Sequence, residues 1–373
     1  MNASFCHTCG HHHGTGLAAT PARRSPHVTV DIHCHLAVEA VDRLVHDDPR
    51  RRADAADYGR TLGAASTQVN LGMRDSIALP LVSPERRIAD MDRLGIDVQV
   101  LSPSPMQYHY WADAPLAREI AALINTRIAQ VVADSPQRFL GLGYAPLQHP
   151  ELAVDILRQA MDAGLLGVEI SSDPTGKGLD DPALEVFWDA AEKLGATLFL
   201  HPMGTSLGER VNRYYLANVI GQPLETTIAL SQMIFSGVFD RHPRLKVCAA
   251  HGGGFLPFAP GRFDHGRGVR PEAGGCSEAP SAYLRRIWFD TVVFRPDALR
   301  TLVEVAGVQR VVAGSDYPFD MGEYALHDLV AGVPGLGEEE RALILGGNAI
   351  AMLGLAAEQP AIAWARQRTG GRA

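Results

Sequence analysis

Two histidines separated by a single residue, His33 and His35, end the β-branched run Val28–His33. Residues two apart on a strand point to the same face, so the two imidazoles share a direction while Cys34 points away. Neutral imidazoles are good ligands for zinc and similar divalent ions. A His-x-His pair also arises by chance, and alone it is weak evidence for a metal site.

Three later segments place further polar side chains at the ends of short apolar runs. These residues are His201, His251 and Asp316. In barrels of parallel strands, catalytic side chains come from the C-terminal ends of several strands. We therefore expect these three side chains to meet His33 and His35 at one mouth. Together they supply three histidines and a carboxylate for a divalent ion, and leave one histidine spare.

The elements that must position these residues alternate between short apolar or β-branched runs and segments of helical periodicity. The predicted strands are Val28–His33, Val98–Ser102, Phe139–Tyr144, Leu166–Ser171, Thr197–His201, Lys246–Ala250, Ile287–Val292 and Arg310–Ala313. The predicted helices are Pro84–Leu94, Leu116–Asp134, Leu152–Ala163, Pro182–Leu194, Pro223–Phe239 and Pro296–Val305. Eight strands, each followed by a helix or long loop, fit a closed parallel barrel better than an open sheet. We predict an α/β fold, a distorted (β/α)8 barrel of the TIM type.

The segment 36–83 is too long for a simple loop, so we predict an insertion after the first strand that covers the barrel mouth. One barrel domain is predicted over residues 28–357. It is expected to be followed by a C-terminal tail, 358–373, in which a final helix lies beyond Leu355.

The N-terminal tail, residues 1–27, is rich in cysteine and histidine. Cys6 and Cys9 have the spacing of half a zinc site, but a stable structural site needs four fixed ligands. The flanking glycines favour a flexible tail instead.

The composition, 46% hydrophobic and 20% charged among 373 residues, is that of a soluble globular protein. The net charge of −8 disfavours nonspecific nucleic-acid binding, which needs a basic face. No apolar run approaches the roughly 20 residues that cross a bilayer, and Met1–Gly16 lacks the features of a secretory signal. We expect a cytoplasmic protein with no nucleic-acid or membrane partner. Five cysteines spread over the chain do not indicate a disulfide framework.

The ordered set of motifs resembles the metal-dependent amidohydrolase superfamily. It is most similar to the branch of 2-amino-3-carboxymuconate-6-semialdehyde decarboxylase and related nonoxidative decarboxylases. The resemblance extends from about Val28 to Leu355. The motifs that carry it are Asp31-Ile32-His33-Cys34-His35, His201-Pro202, His251-Gly252-Gly253-Gly254, Gly314-Ser315-Asp316-Tyr317-Pro318-Phe319, Gly322-Glu323 and Gly347-Asn348-Ala349.

The resemblance implies that His251 is the catalytic acid–base group and that Asp316 is both a metal ligand and a proton carrier. Arg262 and Arg74 are implied to hold substrate carboxylates. In the family the residue that matches Arg262 reaches into the neighbouring subunit's site, which implies a homodimer acting on a small anionic carboxylate. The implied ligands of one divalent ion, Zn²⁺ or alternatively Mn²⁺, are His33, His35, His201 and Asp316.

The chain departs from the family pattern in the pocket. Met203 and Gly204 stand where the parent decarboxylase has Trp-Asp, and Tyr214 and Tyr215 stand where it has a substrate-facing Trp. The pocket is therefore expected to be remodelled.

The fourth predicted strand bears on the number of metal ions. Binuclear members of the superfamily carry a carbamylated lysine at the end of this strand. Here the strand contains Glu169, and the nearest lysine is Lys177 in a Gly-rich loop. A single metal ion is predicted.

Three functions remain open at this point. The first is metal-dependent nonoxidative decarboxylation of a small unsaturated or aromatic carboxylic acid. The second keeps the site but makes the protein a hydrolase or hydratase of a lactone, amide or enol acid, since a bound metal ion can activate water. The third is a noncatalytic metal- or ligand-binding protein on an enzyme scaffold.

Overall fold

A computed structural model of the chain describes residues 25–370. The Cys/His-rich segment of the N-terminal tail and residues 371–373 lie outside the described residues. The predictions about that tail, including its flexibility, therefore stay predictions.

The strands form a three-stranded and a six-stranded parallel sheet, and in both the strand order follows the sequence. They are β1 Val30–Leu36, β2 Val98–Pro103, β3 Phe139–Gly141, β4 Gly143–Tyr144, β5 Gly167–Ser171, β6 Thr197–His201, β7 Lys246–Ala249, β8 Trp288–Asp290 and β9 Val311–Val312. Only Leu142 separates β3 from β4, and its amide donates to the Leu101 carbonyl at 2.8 Å. β3 and β4 thus act as one interrupted strand, and all eight predicted strands have counterparts.

Hydrogen bonds between β1 and the segment that follows β9 close the sheet into a barrel. The Ile32 amide donates to the Ala313 carbonyl at 2.9 Å, and the Asp316 amide donates to the His33 carbonyl at 2.8 Å. Every residue of β1, β2, β5 and β6 is buried, as expected for parallel strands that are covered on both faces. The predicted barrel is confirmed.

The helices surround the barrel, and several begin at a proline whose fixed φ suits the first helical turn. Their bounds are α1 Glu39–Leu44, α2 Pro49–Leu62, α3 Ala64–Val82, α4 Pro84–Leu94, α5 Ala114–Asp134, α6 Pro150–Asp162, α7 Glu185–Leu194, α8 Gln222–Phe235, α9 Val238–Arg241, α10 Pro260–Val269, α11 Pro280–Tyr283, α12 Pro296–Ala306, α13 Leu326–Ala331, α14 Glu338–Ala342, α15 Asn348–Leu353 and α16 Pro360–Arg368.

One predicted helix, Pro223–Phe239, is wrong as a single element. The structure divides it into α8 and α9 at Gly237, which adopts a left-handed φ of 76°. Glycine enters this conformation without steric cost, so the chain turns there.

The final helix expected beyond Leu355 is α16. Its Ala361, Ile362 and Ala365 are fully buried, and the Arg138 guanidinium lies 4.7 Å from the Trp364 ring centroid. Residues 360–368 therefore pack against the barrel.

The insertion after β1 consists of α1, α2 and α3. Its end is attached to the barrel by Arg87, a fully buried residue of α4. The Arg87 guanidinium donates to the carbonyls of His35 and Pro80, the latter at 3.2 Å, and to the Gln99 side chain at 3.2 Å. It also lies 4.7 Å from the Tyr317 ring centroid. One side chain thus links the insertion, β1 and the segment after β9.

Replacing Arg87 with Ala should reduce the free energy of unfolding by about 3–5 kcal/mol, because several buried acceptors lose their donor. The neighbouring Arg86→Ala is the matched control. Arg86 pairs with Asp90 at 2.9 Å from an exposed position, so its loss should cost about 1 kcal/mol or less. Urea unfolding of both variants measures the difference. Equal effects would contradict the role given to Arg87.

Candidate metal centre

His33 and His35 lie side by side at the end of β1, and both are fully buried. Their Nε2 atoms are 3.1 Å apart. The Asp316 Oδ1 atom is 3.2 Å from each Nε2. Ligands around a tetrahedral zinc ion lie about 3.4 Å from one another when the metal–ligand distance is about 2.1 Å. These three atoms therefore have the spacing of ligands to one ion.

His201 ends β6 and faces the same point. Its ring centroid is 5.0 Å from that of His33 and 4.8 Å from that of His35. Both of its ring nitrogens are buried without a hydrogen-bond partner among the described residues. Buried polar atoms in folded proteins nearly always have a partner, so this imidazole fits a metal ion as its missing partner.

His251 follows β7 and is the most exposed of the five residues, with 18% of its side chain accessible. Its Nε2 atom lies 3.5 Å from Asp316 Oδ2. Atoms of His33, His201, His251 and Asp316 all lie within 4.8 Å of one another, so this set could also hold a metal ion. His251 is therefore the member of the cluster that is most accessible to solvent.

The glycines after His251 allow the turn that holds it. Gly252 and Gly253 have left-handed φ values of 60° and 77°. A Cβ atom at Gly253 would lie 2.5 Å from the Phe289 ring, and one at Gly252 would lie 2.5 Å from Val293. No larger residue fits without displacing these neighbours, so the Gly run has a steric cause.

The charges of the cluster are strongly coupled. Burial lowers the pKa of His33, but the nearby Asp316 and Asp290 carboxylates outweigh it and raise that pKa to about 10. Burial raises the pKa of Asp316, but the neighbouring histidines outweigh it and hold that pKa well below its usual range. Burial, together with the adjacent imidazoles, keeps the pKa of His201 well below its usual range. The protein therefore maintains a buried carboxylate and at least one neutral imidazole at this site.

Asp31 supports the cluster through hydrogen bonds to the segment that carries Asp316. Its carboxylate accepts hydrogen bonds from the Ser315 hydroxyl at 2.6 Å, the Ser315 amide at 2.9 Å and the Gln99 side chain at 3.1 Å. In the sequence, Asp31 and Ser315 stand out only as members of motifs. These bonds show that Asp31 joins the first strand to the segment that carries Asp316.

Asp290, at the end of β8, also contacts the cluster and was missed by sequence reasoning. Its Oδ2 atom lies 2.5 Å from His33 Nδ1, and the carboxylate is fully buried. The sequence signal was a carboxylate inside the apolar strand predicted for Ile287–Val292.

Glu169 lies on the other side of His35. One carboxylate oxygen accepts a hydrogen bond from Tyr108, and the other is 3.6 Å from His35 Nδ1, whereas Asp316 approaches His35 at Nε2. Burial raises the pKa of Glu169. Lys177 is exposed and lies 3.5 Å from Asp181. Neither residue is placed beside the Nε2 atoms to bridge a second ion.

A cavity of about 900 Å³ lies next to the cluster, and its lining includes Phe319, whose ring centroid is 5.4 Å from that of His35. The insertion forms one wall with Arg74 and Ile77, and Met203 and Phe319 lie on the barrel side. Arg74 therefore lines the cavity, whereas Arg262 is exposed on α10 and does not line it.

Of the two tyrosines expected at the remodelled pocket, Tyr214 is 83% exposed. Tyr215 lines a smaller pocket beside Tyr58. Both have left-handed backbone conformations, with φ of 58° and 60°. Neither lines the large cavity in this conformation of the chain.

Within residues 25–370, no helix combines the length and apolar character that crossing a bilayer requires.

Comparison with known proteins gives consistent matches. The chain is 41% identical over 275 residues to 2-amino-3-carboxymuconate-6-semialdehyde decarboxylase from Dictyostelium discoideum, which covers 73% of this chain and 77% of that protein. The fold matches 5-carboxyvanillate decarboxylase from Sphingomonas paucimobilis with a TM-score of 0.78 and 28% identity, over 88% of this chain and 99% of that one.

A dihydroxybenzoic acid decarboxylase from Polaromonas, solved with bound manganese, has the same fold, with a TM-score of 0.73 and 23% identity over 88% of this chain and 97% of that one. The family model described as Amidohydrolase matches residues 30–355. With most of its length matched and the barrel and its histidine cluster in place, the chain belongs to the amidohydrolase family.

Proposed function

We propose that this protein is a metal-dependent nonoxidative decarboxylase of a small unsaturated or aromatic carboxylic acid. The observation that carries the proposal is the arrangement of His251, the most exposed member of a His/Asp cluster, whose Nε2 atom lies 3.5 Å from the Asp316 carboxylate. The similarity to decarboxylases of carboxymuconate, carboxyvanillate and dihydroxybenzoate supports this choice of reaction.

The proposed ligands are His33, His35, His201 and Asp316, with His251 left as the proton carrier. The unpartnered nitrogens of His201 and the converging Nε2 atoms of His33 and His35 support this set. A divalent ion held there, Zn²⁺ or Mn²⁺, supplies a Lewis acid that polarises a substrate oxygen. Glu169 lies behind His35, which supports a single ion.

His251 is suited to deliver a proton to the carbon that bears the departing carboxylate, since an imidazole can both donate and accept a proton. The bond between that carbon and the carboxylate then breaks. The electron pair of that bond stays with the unsaturated system, and CO₂ leaves. The net reaction consumes one proton and replaces the carboxylate on that carbon with hydrogen. His251 regains its proton from solvent. Asp316, 3.5 Å away, is the residue that can share that proton within the site.

We propose that Arg74 holds the substrate from the insertion wall and that Arg262 does so from the partner subunit of a homodimer. A guanidinium grips a carboxylate with two parallel hydrogen bonds. Arg262 is exposed in the single chain. Phe255 and Phe258, shortly before it in the chain, are 39% and 42% exposed apolar side chains that a second copy would cover. The cytoplasmic location stays a prediction.

Decarboxylation is tested by supplying the metal-loaded protein with a panel of carboxymuconate-type and hydroxybenzoate acids and measuring CO₂ release. We expect release that falls about 10²–10⁴-fold in His251→Asn, because the proton donor is lost. The exposed His265→Asn is the control. Release that is absent across the panel, with a product mass that shows addition of water, would instead favour the hydrolase or hydratase.

The metal ligands are tested by elemental analysis of the purified protein for zinc and manganese. We expect about one ion per chain in the wild type and in His251→Asn, and loss of the ion in His35→Ala and His201→Ala. His109→Ala, at a buried position lining the cavity, is the matched control. Loss of metal in His251→Asn but not in His35→Ala would assign His251 to the ligand set instead. Metal that is bound without any turnover would support the noncatalytic alternative.

The shared site is tested by mixing two inactive variants, Arg262→Ala and His251→Asn. If each site combines His251 of one chain with Arg262 of the other, mixed dimers contain one complete site. Random reassortment should then restore about a quarter of wild-type activity. Mass spectrometry of the mixture checks that the chains exchange. If they exchange and the mixture stays inactive, both residues belong to the same chain's site.

A further inference from the structure

Asp290 makes hydrogen bonds to two different parts of the site. Its Oδ2 atom accepts from the His33 Nδ1–H at 2.5 Å. Its Oδ1 atom accepts from the Gly252 amide at 2.8 Å and from the Val292 amide at 3.1 Å. Gly252 directly follows His251. A single carboxylate thus contacts both the ring of a proposed ligand and the turn that holds the proposed proton carrier.

The contact with His33 determines which ring nitrogen is free. A carboxylate can only accept, so when a divalent ion takes the place of the proton on Nε2, the remaining proton of the neutral imidazole lies on Nδ1. The lone pair then lies on Nε2, the atom that points to His35 and Asp316. An acceptor on the outer nitrogen fixes the ring orientation and increases the basicity of the inner one.

The surroundings leave the Asp290 side chain little freedom. A Cβ atom at Gly314 would lie 2.9 Å from the Cβ atoms of both Asp290 and His33. The Thr291 hydroxyl beside it donates to the Gly314 carbonyl at 3.2 Å. Close packing of Gly314 therefore holds the aspartate and the histidine in contact.

We propose that Asp290 is a positioning residue for both functions of the site. It holds His33 in the tautomer that presents Nε2 to a divalent ion, and it fixes the turn from which His251 reaches the substrate. The role toward His33 rests on the proposed function, in which His33 is a ligand.

The test compares the full-length wild type with Asp290→Asn. An asparagine amide has nearly the shape of the carboxylate, but its N–H group can face His33 and favour the wrong tautomer. We expect the affinity for Zn²⁺, measured by competition with a chelating dye, to fall about 10–100-fold. We expect kcat at saturating Zn²⁺ to fall as well, with a change in the pH dependence of kcat. In the His251→Asn background, Asp290→Asn should lower kcat little further. Asp297→Asn, an exposed aspartate of α12, is the control.

The tautomer is measured directly by ¹H–¹⁵N correlation of the histidine rings in the zinc-loaded wild type. A protonated Nδ1 on His33 is the expected result, and zinc bound through Nδ1 would overturn the proposal even if Asp290→Asn does not fold. Unchanged zinc affinity and pH profile in a folded Asp290→Asn would also overturn it. The zinc affinity and the tautomer are measured without substrate, so failure to release CO₂ would contradict the decarboxylase alone. A wild type that binds no zinc would contradict the proposed metal centre, and the role of Asp290 with it.

Discussion

The contact between β1 and the segment after β9 is the constraint on which the rest of the structure depends. Ser315 bonds to Asp31, which lies 284 positions earlier in the chain, and the backbone bonds beside it close the barrel. Without this closure, His33 and Asp316 would have no fixed relation. The same few hydrogen bonds therefore complete the fold and bring a carboxylate to the paired imidazoles.

This closure brings together polar groups whose contacts with water are only partly replaced by contacts with protein. Both ring nitrogens of His201 lie buried without a hydrogen-bond partner among the described residues, which is unfavourable for folding alone. An ion that binds only the folded chain stabilises it, and the stabilisation grows with the logarithm of the ion concentration relative to Kd. Site and stability are consequently linked. The decarboxylase site proposed here would lose rigidity together with its ion.

The strand-end residues and the eight-strand barrel could be predicted from the sequence, because period-two spacing and the alternation of elements are local signals. The break at Gly237 could not, since one glycine inside an apolar pattern does not distinguish a helix from two. Asp290 was equally hidden: its partners, His33 and Gly252, are distant in sequence and its own strand is short. The exposed position of Arg262 on α10 could not be predicted either, because no local spacing pattern assigns an arginine to the cavity or to the outer surface.

The contacts that attach the insertion to the barrel limit how it can be exchanged between relatives to change their substrate range. Arg87 lies outside residues 36–83 but donates to carbonyls at both ends of that segment, at His35 and Pro80. A transplanted insertion would need to end in the same backbone geometry to accept this side chain. Chimaeras with junctions inside α3, ahead of Pro80, should therefore be better tolerated than junctions at its C-terminal end.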